Sequence, residues 1–274
     1  MRKHFVAFMM AATVTITTAL PVYAAPMTNE EAIAALHQAD GRVYKNGDTA
    51  NITVDLAVTD WSQTITEILN KAFPACGQPE IGPVYYEYDD GSSVRDYTIS
   101  AAQLATLAEH QDVTNQWADS TARALFPSGT DRNTVLQTAY LHIARNYPYA
   151  NGISAAEVKK AQGAYYMITT GKAICASYTK AYRALIGAVP FDPATGLVNW
   201  ECAAPVRIKV AIVYNVEHEW NAIQDPDGNW YHYDLATATL RDAESLQLFH
   251  MPVSKLTNGK YASFYDYDHA VWCY

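Results

Sequence analysis

Charge is sparse in this chain. Only 17% of its 274 residues are Asp, Glu, Lys or Arg, and they sum to a formal net charge of −9. Nowhere do Lys and Arg cluster, which excludes the phosphate-neutralising surface a nucleic-acid binder needs. Cysteine is scarce as well: Cys76, Cys175, Cys202 and Cys273 are the only four, and no two form a Cys-x-x-Cys pair. No His-Glu-x-x-His run occurs either, so no zinc site is expected and no cofactor or metal is called for. Past the first 25 residues no apolar run is long enough for a bilayer, which excludes a membrane span in the rest of the chain. Internal repeats and low-complexity segments are also missing.

What the chain does have is apolar and aromatic mass. Half of it is hydrophobic, with twenty tyrosines and six tryptophans. That is ample for one large domain or two smaller ones, with the aromatics filling a core or lining grooves. At the start, Arg2, Lys3 and His4 precede an apolar run from Phe5 to Leu20, closed by Pro21-Val22-Tyr23-Ala24-Ala25. These are the parts of a secretory signal peptide, expected over residues 1–24, and they imply a secreted or cell-surface protein. Export permits disulfides. If one thiol is kept for chemistry, at most one bridge forms among Cys76, Cys202 and Cys273, and spacing does not say which.

Residues 25–130 carry no chemical motif and are expected to form an α/β accessory region. Thr28-Asn29-Glu30-Glu31 has the form of a capping box ahead of a short helix. Asn51 to Val58 alternates like a strand. Trp61, Ile65, Ile68 and Leu69 recur at helical spacing, and Asp89-Asp90-Gly91 signals a hairpin. Ser100 is placed to cap a helix carrying Leu104 and Leu107. Phe126-Pro127-Ser128-Gly129-Thr130 then breaks the periodicity and is the expected boundary. Beyond it Leu136, Tyr140, Ile143 and Tyr147 form a helical stripe that stops at Pro148.

Three segments of the C-terminal half carry reactive groups. In the first, Gly171 permits a tight turn, and Cys175, Tyr178, Tyr182 and Leu185 follow at helical spacing. This sets Cys175 at a helix N-terminus, where the dipole and free amides favour a thiolate and can bind an oxyanion. The second segment alternates through Val206, Ile208, Val210, Ile212, Tyr214 and Val216, and its parity continues to His218 and Trp220. The third follows the turn Asp225-Pro226-Asp227-Gly228 and runs Asn229-Trp230-Tyr231-His232-Tyr233-Asp234. A hairpin closed around a Gly bulge sets Trp220 opposite Asp234, with His218 its diagonal neighbour on the same face. A one-residue slip would part them. Singly, each is as easily explained by packing or surface chemistry. Together they supply thiol catalysis: a nucleophile, a base, and a carboxylate to fix the base's tautomer. His232 shares the face of Asp234 but has no acidic partner beyond it.

These segments resemble the transglutaminase-like superfamily, whose core is a papain-like thiol-enzyme fold. The resemblance rests on Ala164 to Leu185, on His218-Glu219-Trp220-Asn221, and on Asp227-Gly228-Asn229-Trp230-Tyr231-His232-Tyr233-Asp234. The family has a Cys opening a helix, a His in a His-x-Trp-Asn run and an Asp after a Gly-x-Trp-Tyr strand; Cys175, His218 and Asp234 occupy those positions. The resemblance covers residues 131–274, the expected catalytic domain of an α+β protein. Ala176-Ser177 stands where bacterial relatives commonly have Gln-Gly, and Glu219 where Ala is usual. It implies acyl transfer from a peptide or glutamine amide through a Cys175 thioester, to water (protease or deamidase) or to an amine (cross-linking), with a protein or peptide as substrate. It also implies a second oxyanion donor upstream of the cysteine, Tyr165 or Gln162, and a supporting Trp220. The alternative is a non-catalytic binding module of the cell envelope, with Trp200, Trp220 and Trp230 lining a groove.

Overall fold

The computed structural model describes residues 27–55, 61–77, 79, 81, 83–87, 93–241, 246–258 and 262–274. The expected signal peptide and the Asp89-Asp90-Gly91 turn lie outside them. Among the described residues helices are interspersed with two sheets whose strand pairs are all antiparallel, an α+β arrangement. No helix there is long and apolar enough to cross a membrane.

The first half builds one sheet and three helices. They are α1 (Asn29–Asp40), β1 (Val43–Asn46), β2 (Thr49–Asp55), α2 (Trp61–Ala72), β3 (Pro83–Glu87), β4 (Ser93–Ile99) and α3 (Ala101–Leu125). Strand order is β1-β2-β4-β3. Thr28 and Ser100 close capping boxes with Glu31 and Gln103, so both helix starts follow from local hydrogen bonding. Leu36, Ile52, Ile68, Phe73 and Leu104 meet in one core.

The second half begins with α4 (Arg132–Asn146), α5 (Ala155–Lys160), α6 (Ala164–Thr170) and α7 (Cys175–Gly187). It continues through β5 (Val210–Tyr214), β6 (Glu219–Gln224), β7 (Trp230–Tyr233), α8 (Leu235–Arg241), β8 (Met251–Pro252), α9 (Val253–Thr257), α10 (Ala262–Tyr265) and β9 (Val271–Cys273). Its sheet runs β8-β7-β6-β5-β9. Helix α7 is buried against it, with Tyr178, Tyr182 and Leu185 inward. The tyrosines are core residues with a polar handle: the Tyr182 hydroxyl donates to Leu136 O at 2.9 Å, and the Tyr140 hydroxyl to Asp234 O at 2.9 Å. The change of core falls inside α3, ahead of the Phe126–Thr130 break. Leu104, Leu107 and Ala108 belong to the first core, while Ala122 and Phe126 belong to the second. Pro127 and Gly129 stop the helix, but the apolar neighbours decide which core a residue joins.

The stretch 206–218 departs from expectation. Val206 only bridges Phe191, regular pairing starts at Val210, and the chain reverses after Tyr214 instead of running on to His218. Asn215 causes the reversal. Its Oδ1 accepts from the amides of Glu217 (3.0 Å) and His218 (2.8 Å), and its own N–H donates to His218 O at 2.9 Å. A side chain that mimics backbone acceptors in this way competes with strand continuation. Val216, expected on an apolar face, is fully exposed at the tip. Val210 to Val213 are all buried, on both faces of the sheet, with α7 packed against β5.

Candidate active site

Cys175 owes its place to the turn before it. Gly171 ends α6 in the left-handed region at φ +72°, and residues 172–174 run extended beside Tyr149 before α7 begins. Ser177 pins this start, accepting from Ile174 N–H at 3.0 Å and donating to Ala161 O at 2.7 Å. Cys175 is thus the first residue of α7. Its amide and that of Ala176 have no intrahelical acceptor, because the first turn of any helix lacks one. The Thr179 hydroxyl lies 2.9 Å from Cys175 O and 3.1 Å from Glu219 O, tying this helix end to the strand that follows His218.

The second hairpin supplies the other two groups. Asp225 and Asn229 close it (N···O 2.8 Å) with Gly228 at φ +90°, and Asn221 pairs with Tyr233 and Ala222 with His232. In that register His218, just before β6, and Asp234, just after β7, come together. His218 Nε2 lies 2.9 Å from Asp234 Oδ2, and the two side chains are 8% and 0% exposed. The same Oδ2 accepts from the Tyr265 hydroxyl at 2.7 Å, while Oδ1 accepts Thr237 N–H at 3.0 Å and so caps α8. Trp220 is buried beneath His218, with ring centroids 5.9 Å apart and planes 15° from parallel. Its indole N–H donates to His232 Nδ1 at 3.0 Å. Burial holds His232 near a pKa of about 4, so it is a neutral acceptor supporting Trp220 rather than an acid or base.

Electrostatics favour an ionised pair. Burial opposes the His218 imidazolium, but the charge and hydrogen bond of Asp234, with a hydrogen bond and charge from Cys175, outweigh it and raise its pKa to about 10. Burial likewise opposes the Asp234 carboxylate, and the charge and hydrogen bond of His218, together with the hydrogen bonds from Tyr265 and Thr237 N–H, more than offset it, leaving its pKa lowered. The raised histidine contributes stability that is full below about pH 6.5 and is lost as pH rises towards about 10. The lowered aspartate contributes above its ordinary value near 3.8 and loses that contribution in acid. Thermal melts from pH 6 to 10.5 should therefore show a decline that His218→Gln flattens. An unchanged slope in the variant would remove this pair as its cause.

Cys175 and His218 line one cavity of about 840 Å³. Gln162 and Tyr149 line it too, and burial together with the charges of Cys175 and Asp234 raises the Tyr149 phenol pKa. Tyr165 is directed elsewhere: its ring stacks on His110 of α3 at 3.9 Å. Nor do the three tryptophans share a groove. Trp220 is buried, Trp200 packs on Arg123 and donates to Phe126 O, and Trp230 meets Trp272 edge-on. All four cysteines are free thiols. Glu219, at the cavity wall, pairs with Lys180 at 2.9 Å, their side chains 15% and 5% exposed. Breaking so buried a pair strands a charge, so Lys180→Met should lower the unfolding free energy by about 3 kcal/mol in urea titrations; a loss under about 0.5 kcal/mol would mean the pair is effectively solvated.

Sequence reasoning passed over Tyr265, Thr179, Tyr149 and Asn215. Asn215 had a local signal in its turn propensity, and Thr179 one in standing four positions after Cys175 on the same helix; Tyr149 and Tyr265 reach the site from stretches whose approach no spacing reveals.

No family model matches the chain, and no curated protein matches it. A solved structure described as the crystal structure of a TGase is similar over 73% of this chain, with 12% identity and a TM-score of 0.31. The chain spans 57% of that protein's length.

Proposed function

We propose that the chain is an exported thiol acyl-transfer enzyme of the transglutaminase-like kind, acting on peptide or glutamine amides. The observation that carries this reading is the 2.9 Å contact of His218 with a fully buried Asp234, in a cavity whose wall holds a helix-opening Cys175. With Nε2 engaged by the carboxylate, His218 has Nδ1 left for the thiol proton. The Cys175 thiolate attacks the amide carbonyl, and the amides of Cys175 and Ala176 receive the oxyanion. His218 returns its proton to the leaving ammonia or amine as the C–N bond breaks, which leaves a thioester on Sγ. Water or an amine then attacks the thioester, His218 takes the proton, and the thiolate is released. Gln162, in the same cavity, is the side-chain candidate for the second oxyanion donor.

Hydrolysis is favoured slightly over cross-linking, since an exported protein meets water in great excess. The deciding experiment compares casein cleavage, ammonia release from glutamine peptides and incorporation of a fluorescent amine by the mature protein. Activity in any one supports acyl transfer, and silence in all three with an intact thiol opposes it. Export belongs to the same proposal, supported by the basic, apolar and Ala-terminated order of residues 2–24. Sequencing the protein from culture medium should give Ala25 as the first residue; an intact Met1 would contradict it.

A further inference from the structure

We infer that a second cavity, at the other end of helix α7, binds an organic anion with an apolar body. This cavity measures about 860 Å³ and lies where α3, α7 and the start of β5 meet. That is a volume suited to a small molecule, at a junction between the two cores, where ligand sites concentrate. In a chain of net charge −9 its walls are basic: Arg183, Arg207 and Lys209 all line it.

Arg183 carries the argument. Its Nη1 is buried and has no hydrogen-bond partner among the described residues, although a guanidinium is charged at every accessible pH; Glu219 acts on it through charge, not through a hydrogen bond to this nitrogen. A buried donor of this kind is costly to leave unmatched, and buried polar groups are paired as a rule. An anion in the cavity would pair it. The other cations there are not all spoken for by carboxylates. Arg207 donates to the last carbonyls of α7, Gly187 O and Ala188 O, which blunts the negative helix end that would otherwise repel an anion. Asn115 has its amide oxygen taken by Gln111 Nε2 at 2.8 Å, so donors are what it has to give. The one acidic side chain among the described lining residues, Asp119, is bonded to Arg123 at 3.0 Å. Beside Gln111, Gln224 and the Glu219-bonded Lys180, the wall carries an apolar stretch with Ala118, Ile208 and Trp230, which suits a hydrocarbon or ring attached to the charged head.

Arg183 lies eight positions after Cys175 on one helix, about 12 Å along its axis. Among the described residues the two cavities share only Lys180, whose ammonium is bonded to Glu219, and neither Cys175 nor His218 lines this one, so its ligand is independent of the acyl-transfer proposal. Titration calorimetry of the mature protein with octyl phosphate, octanoate, inorganic phosphate and octylamine tests it. Octyl phosphate and octanoate should bind one to one, inorganic phosphate more weakly, and octylamine not at all. Arg183→Gln should weaken octyl phosphate about tenfold or more, the range for a charge-assisted hydrogen bond. The exposed Lys209→Glu, which spares the core, should weaken it as well and keeps the test valid if the Arg183 variant misfolds. Octyl phosphate binding unmoved by Lys209→Glu, or no anion binding at all, would overturn the site. Equal affinity for inorganic phosphate would overturn the apolar body.

Discussion

Cys175→Ala leaves a folded protein whose acyl-transfer rate falls by about 10⁴-fold or more. Each step of the proposed reaction forms or breaks a bond to Sγ, and none of Cys76, Cys202 or Cys273 lines the Cys175 cavity to replace it. Backbone oxyanion donors and substrate binding survive the change, which is why some residual catalysis over water is expected. Stability should barely move. Cys175 is only partly buried, and the bonds that start α7 belong to Ser177 and Thr179, not to the thiol. The melting curve of the variant and its turnover of the best substrate measure the two halves of the expectation. Retained turnover removes the nucleophile from the account.

Asp234→Asn lowers turnover by about 10³ to 10⁴-fold and also weakens the fold. Both oxygens of Asp234 accept hydrogen bonds: Oδ2 from Tyr265 and His218, Oδ1 from Thr237 N–H. An amide has one oxygen. If that oxygen faces His218, the NH₂ group meets the Thr237 amide donor to donor and the cap of α8 is lost. If it faces Thr237, the NH₂ group confronts His218 and forces Nε2 to be the acceptor, so Nδ1 carries a proton and can no longer take one from the thiol. The imidazolium also loses the charge that holds it. Turnover against pH, with urea midpoints measured beside it, separates these costs. Tyr265→Phe is the gentler companion: it leaves both carboxylate oxygens in place and removes a single donor.

Much of this site was legible in the chain because its parts are locally encoded. Asp225-Pro226-Asp227-Gly228 specifies a tight turn, the turn sets the register, and the register brings residues 218 and 234 to one end of the hairpin. Gly171 and the spacing of Tyr178, Tyr182 and Leu185 give the helix that Cys175 opens. The less legible parts depend on distant neighbours. Tyr265 reaches Asp234 across 31 residues, and Tyr165 turns away from the cavity because His110 on α3 offers it a stacking face. The apolar alternation of 206–216 misled for a different reason: a strand buried on both faces need not alternate, and one asparagine at 215 reverses the chain. The three tryptophans do not share a groove because Trp220 is buried, Trp200 packs on Arg123 and Trp230 packs on Trp272.

The thiol itself offers the most direct test. Site-resolved mass spectrometry of iodoacetamide alkylation at pH 6.5 reports how nucleophilic the sulfur of residue 175 is beside the imidazole. Labelling at least tenfold faster than glutathione, and slowed when His218 becomes Gln, is the predicted result. Labelling no faster than glutathione and indifferent to the histidine would contradict the account.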